Sequence, residues 1–581
     1  MTLRSPSTTS PTTTKAAKKP PACDACKARR VLCHPQPNGL PCPRCVEKGV
    51  ICKTSYVPRG RPRKYSRQTS TISVESQSAS GSSDTSLVVY RPMIEPAISV
   101  ELSGELVKDL YECFTNSPQS QNPLFQMCAL KGALSSAAWD IDLLPPEARV
   151  LAHCVCALGS TVSFHSAIIG AGPQPESFTD YSVFYPGADL RRYGARRAPA
   201  VRALHERAIN LACDVRIHLE VSNHNAASCF VLDSLEERKP GSRPWAVAYI
   251  SHIRVLAESR NEDSTKATWS GYLMADALAA ISQRKPILVT YNDQLLIAGL
   301  EPPSLENMFE SLRATIQTSK KHPSQWAWTV IRPFLFHVIR LCREFYDKIS
   351  GAYARRHPIA EGAAIAFISD LSIMQSTLSM LFAQVDFESQ PSPAYVNGSV
   401  RSCALGMTVG YLGLVLALYR EMEHRATARA ILQCGLHESS ATRHDRMALL
   451  RHQTYCLAAD ALAHLVRTAQ VVPTLTHILN AKWLNLAGWA EFCLAEADAA
   501  GGLAPGRAGA FERIMHMLKL HGYAQDGAQV SALIERMEAH LFAYGAQTLF
   551  PTTSGLSEWS LTLDNSWMGM FPEDLGYGHH I

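Results

Sequence analysis

"CDACKARRVLCHPQPNGLPCPRCVEKGVIC", residues 23–52, holds six of the 17 cysteines of a 581-residue chain. Cys23, Cys26 and Cys33 stand as C-x2-C-x6-C, eight residues follow, and Cys42, Cys45 and Cys52 repeat the spacing. Each half is a hook of three thiols. A structural zinc ion takes four ligands in a tetrahedron, commonly sulfur, so three per half fall one short. Six cysteines still complete two tetrahedra when two sulfurs bridge both ions. Equal spacing in the two halves is what a pseudo-symmetric cluster of two metals requires.

The competing readings are weaker. The first residues, "MTLRSPSTTSPTTTKAAKKPPA", have no apolar run and read as neither a secretory signal nor a transit peptide, so the expected compartment is reducing and disulfides are disfavoured. A RING-like site needs eight ligands, and only His34 is spare nearby. So polar a segment cannot fold on hydrophobic burial, whereas structural zinc supplies roughly 10–16 kcal/mol per site.

Outward from the cysteines the charge is lopsided. Residues 1–67 carry 15 Lys or Arg against 2 acids, a net +13, while the remainder carries 41 basic and 49 acidic residues, a net −8. A basic head on a mildly acidic body points to a polyanionic partner for the head, most simply double-stranded DNA.

The pair "CDACKARRVLC" and "PCPRCVEKGVIC" resembles the DNA-binding module of the fungal binuclear zinc cluster transcription factors, with all six cysteines in register over 23–52. The resemblance implies two zinc ions, bridged by Cys23 and Cys42, with Cys26 and Cys33 completing one site and Cys45 and Cys52 the other. It implies a nuclear, sequence-specific regulator of RNA polymerase II genes that reads CGG-type triplets in the major groove. It assigns that reading to "KARRVL", taken as a short helix-sized stretch with Lys27, Arg29 and Arg30. Arginine suits guanine because its fork meets O6 and N7 together. One departure is Leu32, where relatives often have lysine, so one phosphate contact is expected to be missing. The loop "HPQPNGLP" is stiffened by proline, with Asn38-Gly39 as its turn.

After the cluster, "VPRGRPRKY" (57–65) offers Arg59, Gly60, Arg61, Arg63 and Lys64. Its RGRP core resembles an AT-hook, an extended segment for the narrow minor groove, where arginine is drawn by enhanced negative potential. A phosphate-contacting tail or an import signal is the plainer alternative. The Ser/Thr-rich stretch that follows has no heptads and reads as a flexible linker, which leaves monomer or homodimer open.

From about residue 96 apolar residues recur at three- and four-residue intervals, as in 144–165, 198–220, 307–321, 446–470 and 510–542, and predict an all-helical body. In placement and texture it resembles the helical middle regulatory domain of the same factors, which implies a regulatory role and a possible small-molecule effector. The apolar run 403–419 reads as a buried helix, not a membrane span, and "RRYGARR" (191–197) as a solvated loop. The 11 later cysteines lack paired spacing and read as small buried apolar residues. The tail 555–577 has Glu558, Asp564, Glu573 and Asp574 among Trp559, Trp567 and Phe571 without a single Lys or Arg, the pattern of an acidic activation segment for a coactivator groove.

The expected fold is therefore a small zinc-stabilised binuclear cluster module at the N-terminus, followed by a disordered linker and a large all-α regulatory domain. The expected segments are a basic tail (1–22), the cluster (23–52), a basic extension (53–67), the linker (68–95), the helical domain (96–550) and the acidic, aromatic tail (551–581). No catalysis and no membrane are expected. The rival classes are a zinc-knot scaffold for protein partners and a ligand-binding helical body tethered to DNA.

Overall fold

A computed structural model describes residues 22–54, except 30, 35 and 37–39, and residues 100–549, except 186, 237–242, 259–265, 319–322, 385–393, 434–440, 472–477, 479–483 and 525–526. The chain divides into two compact units, Met1–Pro92 and Met93–Ile581. The described part of the first unit is the cysteine module, with two one-turn helices, α1 (Asp24–Ala28) and α2 (Pro43–Glu47).

The second unit is helical, with no strand among its described residues. It begins with α3 (Gly104–Thr115), α4 (Pro123–Cys128), α5 (Leu130–Ser136), α6 (Pro146–Gly159) and α7 (Ser166–Ile169). Then come α8 (Arg191–Val215), α9 (Asn223–Leu235), α10 (Pro244–Glu258), α11 (Lys266–Ser282), α12 (Tyr291–Ala298), α13 (Leu305–Thr318) and α14 (Pro323–Phe345). It ends with α15 (Glu361–Gln384), α16 (Ala394–Gln433), α17 (Ala441–Val471), α18 (Leu486–Ala500), α19 (Pro505–His521) and α20 (Ala528–Leu549).

Local chemistry starts these helices where side chains can take the free N–H groups. Ser103 accepts from the Leu106 N–H at α3, Ser222 from Asn225 at α9, and Thr290 forms a reciprocal capping box with Asp293 at α12. Pro146 opens α6, where a missing N–H costs nothing.

Packing then decides which faces go inside. Leu106, Val107, Leu110 and Phe114 form one buried stripe on α3, whereas α6 is buried on every side from Val150 to Leu158. The closest crossing is made by Gly159, since a Cβ there would lie 2.0 Å from the Leu110 carbonyl oxygen. The centre of the body is α16, flanked by α11, α14, α15 and α17. Gly410 and Gly413 let it approach these neighbours; a Cβ would lie 2.9 Å from Met274 and Val338, and 2.7 Å from Leu278, respectively.

Two segments, Glu361–Ala383 and Cys403–Thr427, are long and apolar enough to cross a membrane. The run 403–419 lies in the second and is buried, as its sequence suggests: Met407, Tyr411, Leu414, Val415 and Leu418 are all closed to solvent.

Three expectations change. "RRYGARR" is not a solvated loop but the first two turns of α8, which starts before the expected 198 and carries Pro199 inside it. The reason is Arg197, which is 1% exposed and donates to the carbonyls of Thr161, Ser163 and Tyr523, pinning these turns against the loop after α6 and the end of α19. Its guanidinium also lies 4.2 Å from the centre of the Tyr523 ring. The stretch 510–542 is two helices, α19 and α20, broken around Gly522–Gly527. Among the later cysteines, Cys213 and Cys456 are exposed and not core residues.

Candidate metal centre

The two halves of the module repeat four hydrogen bonds at an offset of 19 residues. Cys23 and Cys42 precede the two helices in the same extended conformation, with φ/ψ of −68/157° and −65/149°. The Cys23 carbonyl accepts from the Lys27 N–H at 3.0 Å, and the Cys42 carbonyl from Val46 at 3.2 Å. Ala25 accepts from Arg29 at 3.3 Å, and Arg44 from Lys48 at 3.2 Å. Cys26 accepts from Val31 at 3.1 Å, and Cys45 from Val50 at 3.0 Å. The third cysteine of each hook then returns to the first: the Cys23 N–H donates to the Cys33 Sγ at 3.5 Å, and the Cys42 N–H to the Cys52 Sγ at 3.3 Å. A further bond, from the Asp24 N–H to the Lys53 carbonyl at 2.9 Å, ties the far end of the second hook to the first.

This bonding corrects one expectation about the reading helix. The helical turn starts directly after the first cysteine of each half and runs through the second, ending at Ala28 and Glu47, so α1 takes in only Lys27 and Ala28 of "KARRVL". Arg29 is the residue that ends α1, and the chain beyond it must double back to bring Cys33 to Cys23.

The sulfurs of Cys23, Cys26, Cys42 and Cys45 all lie within 4.8 Å of one another and are buried, a group able to hold a metal ion. Individual Sγ–Sγ separations are 3.9 Å for Cys23–Cys42, 3.6 Å for Cys23–Cys45, 3.8 Å for Cys26–Cys42 and 3.8 Å for Cys23–Cys33. They are too long for disulfides, whose sulfurs sit at about 2.05 Å. They match the edge of a tetrahedron with ligands at about 2.3 Å, which is about 3.8 Å. The donor set therefore fits a thiophilic metal.

The thiols are not equivalent. The Cys23 Sγ lies within 3.9 Å of those of Cys42, Cys45 and Cys33, and the Cys42 Sγ within 3.9 Å of those of Cys23 and Cys26. Cys23 and Cys42 are also the two thiols held below the ordinary range, Cys23 at about 6, chiefly by the backbone N–H groups of Cys26 and Cys45 respectively. Burial pushes the Cys26 thiol up to about 12, and Cys45 shifts the same way.

Around this sulfur core the surface is basic. Lys27 and Arg29 are exposed, and Lys27 stands 3.5 Å from Asp24 in a solvated pair. Arg44, Lys48 and Lys53 are exposed as well. Lys48 is the counterpart of Arg29: both end their helices with nearly identical dihedrals, −87/0° and −93/3°. The 19-residue offset of the cysteines contained that signal. Sequence reasoning missed the exposed apolar residues Leu32, Leu40, Val46 and Ile51. His34 is exposed and stands outside the sulfur group. Arg30, the Asn38-Gly39 turn, the arm residues Arg59, Gly60, Arg61, Arg63 and Lys64, the linker and the tail 555–577 lie outside the described residues.

No family model matches the chain, and no curated protein and no solved structure matches it.

Proposed function

We propose that the chain is a nuclear, sequence-specific DNA-binding regulator of transcription. Its six N-terminal cysteines hold two zinc ions, with Cys23 and Cys42 shared, Cys26 and Cys33 closing one site, and Cys45 and Cys52 the other. The observation that carries this reading is the four hydrogen bonds repeated in the two hooks around sulfurs spaced 3.6–3.9 Å apart. Zinc supplies the folding energy that so small an apolar content cannot. Both ions are coordinatively closed, so the role is structural and not hydrolytic.

On this scaffold Arg29 is held at the end of α1 with its side chain in solvent. With Arg30 it serves as a fork for guanine O6 and N7 in a CGG-type triplet, and Lys27 contacts phosphate. The 57–65 arm adds affinity, in the minor groove or on phosphates. The helical body receives regulation, and the tail recruits coactivators.

The exposed Leu32, Leu40, Val46 and Ile51 favour a second reading, in which the knot binds a protein. Selection from random duplex DNA by the zinc-loaded full chain separates the two. Enrichment of CGG-containing sites, lost on chelation and in Arg29→Ala, supports base reading. Retention of DNA without sequence preference, falling with salt as bare charge demands, supports the protein-binding knot.

A further inference from the structure

In the helical body, a solvent-open cleft of about 1000 Å³ lies where the ends of α6, α11 and α19, the first half of α8, the middle of α16 and the starts of α18 and α20 converge. That is the upper end of the size that encloses a metabolite- or drug-sized molecule. Part of the wall is apolar, with Leu158, Val162, Leu416 and Leu486. The rest is polar and carries five arginines, Arg191, Arg197, Arg202, Arg284 and Arg420.

The acids in the wall do not balance these charges, because each is already engaged. Glu421 is paired with Arg355 and Arg425, Glu423 with Arg451, and Glu491 with Arg420. Arg191 is matched by Asp189, and Arg197 is spent on backbone carbonyls. Arg202 and Arg284, both exposed to solvent, form no ion pair among the described residues.

Arg284 is the more telling of the two. It follows α11 with a φ of +58°, a left-handed backbone in which glycine or asparagine is the easier choice. It lies close enough to Arg355 and Arg420 to feel their repulsion, with only Glu421 opposing. An arginine kept in a strained turn, beside other arginines, at the wall of a cavity is an anion receptor in form.

We propose that this cavity binds a small organic oxyanion, a carboxylate or phosphate monoester with an apolar body, whose charged head is met by Arg284 while Arg202 adds to the positive field of the wall. The site belongs to the helical body alone and stands whatever the cysteine module binds.

The test is titration of the full chain with 1-anilinonaphthalene-8-sulfonate, an apolar oxyanion that fluoresces on burial, beside the uncharged N-phenyl-1-naphthylamine. Saturable binding of one sulfonate per chain is expected, weakened about tenfold or more by Arg284→Gln and less by Arg202→Gln. Arg313→Gln, in a solvated pair with Glu310 away from the cavity, is the control and should change nothing. The neutral dye should bind the parent chain and the arginine variants alike. Ala417→Trp, which fills the cavity without altering charge, should abolish binding of both dyes and keeps the test decisive if an arginine variant folds poorly. Displacement by 3-phenylpropionate or by phenyl phosphate then tells which head group the site prefers. Sulfonate binding that is absent, unsaturable, or indifferent to Arg284→Gln and Ala417→Trp would overturn the proposal.

Discussion

The cysteine module and the helical body solve the problem of folding by opposite means. In the module the buried residues are Cys23, Cys26, Cys42 and Cys45, while Leu32, Leu40, Val46 and Ile51 face solvent. In the body the apolar side chains of helices from α3 to α20 form one contiguous core. A module whose interior is sulfur depends on what the sulfur binds; a body whose interior is Leu, Phe and Met depends on shape.

The largest effect should therefore come from removing metal. Chelation of the full chain is expected to expose residues 23–52 to protease while the helical circular dichroism and main melting transition of the body persist. Loss of both together would break the comparison.

Next come single cysteines. Replacing a shared ligand, Cys23→Ser or Cys42→Ser, should lower zinc content by more than one ion per chain in native mass spectrometry. Cys33→Ser or Cys52→Ser should remove at most one. Equal losses from all four would refute the sharing.

A substitution in the body should do the reverse. Gly159→Ala drives a methyl group into the Leu110 carbonyl and should cost about 1–3 kcal/mol by chemical denaturation, with zinc content unchanged.

The last effect is acid sensitivity of the body. Burial holds His153 down at about 4, with Arg207 acting in the same direction. Its stabilising contribution is present above the unfolded value near 6.5 and is lost as pH falls through about 4, because the unfolded chain takes up the proton first. Asp276 works in the opposite sense: burial raises it to about 6 against the pull of Arg243, so its contribution is full below the unfolded value and lost as pH rises through about 6. Comparing His153→Leu with the parent by calorimetry between pH 7 and 4.5 isolates the first. The variant should lose less stability on acidification, and equal losses would exclude the assignment.

The same contrast explains what was legible in the sequence. The hooks were readable because a metal site is written as the spacing of one residue type, and Cys26 or Cys45 has few other reasons to stand where it does. The helical texture was readable from apolar periodicity, as in 446–470, which lies within α17. Arg197 was not: a guanidinium held by three carbonyls and the Tyr523 ring is a tertiary event between residues 326 positions apart, and local polarity pointed to a loop. The turn of α1 was misplaced because the basic residues drew attention away from the Cys23 carbonyl, which starts it.

The central claim is that the cysteine knot reads bases. Its most direct test is the affinity of the zinc-loaded full chain for a duplex bearing CGG triplets and for one of equal composition with the triplets scrambled, with and without Arg29→Ala. The account predicts a preference of about tenfold or more for the triplet duplex that collapses in the variant, while binding to the scrambled duplex changes little. Equal affinity for both duplexes with two zinc ions in place would contradict it.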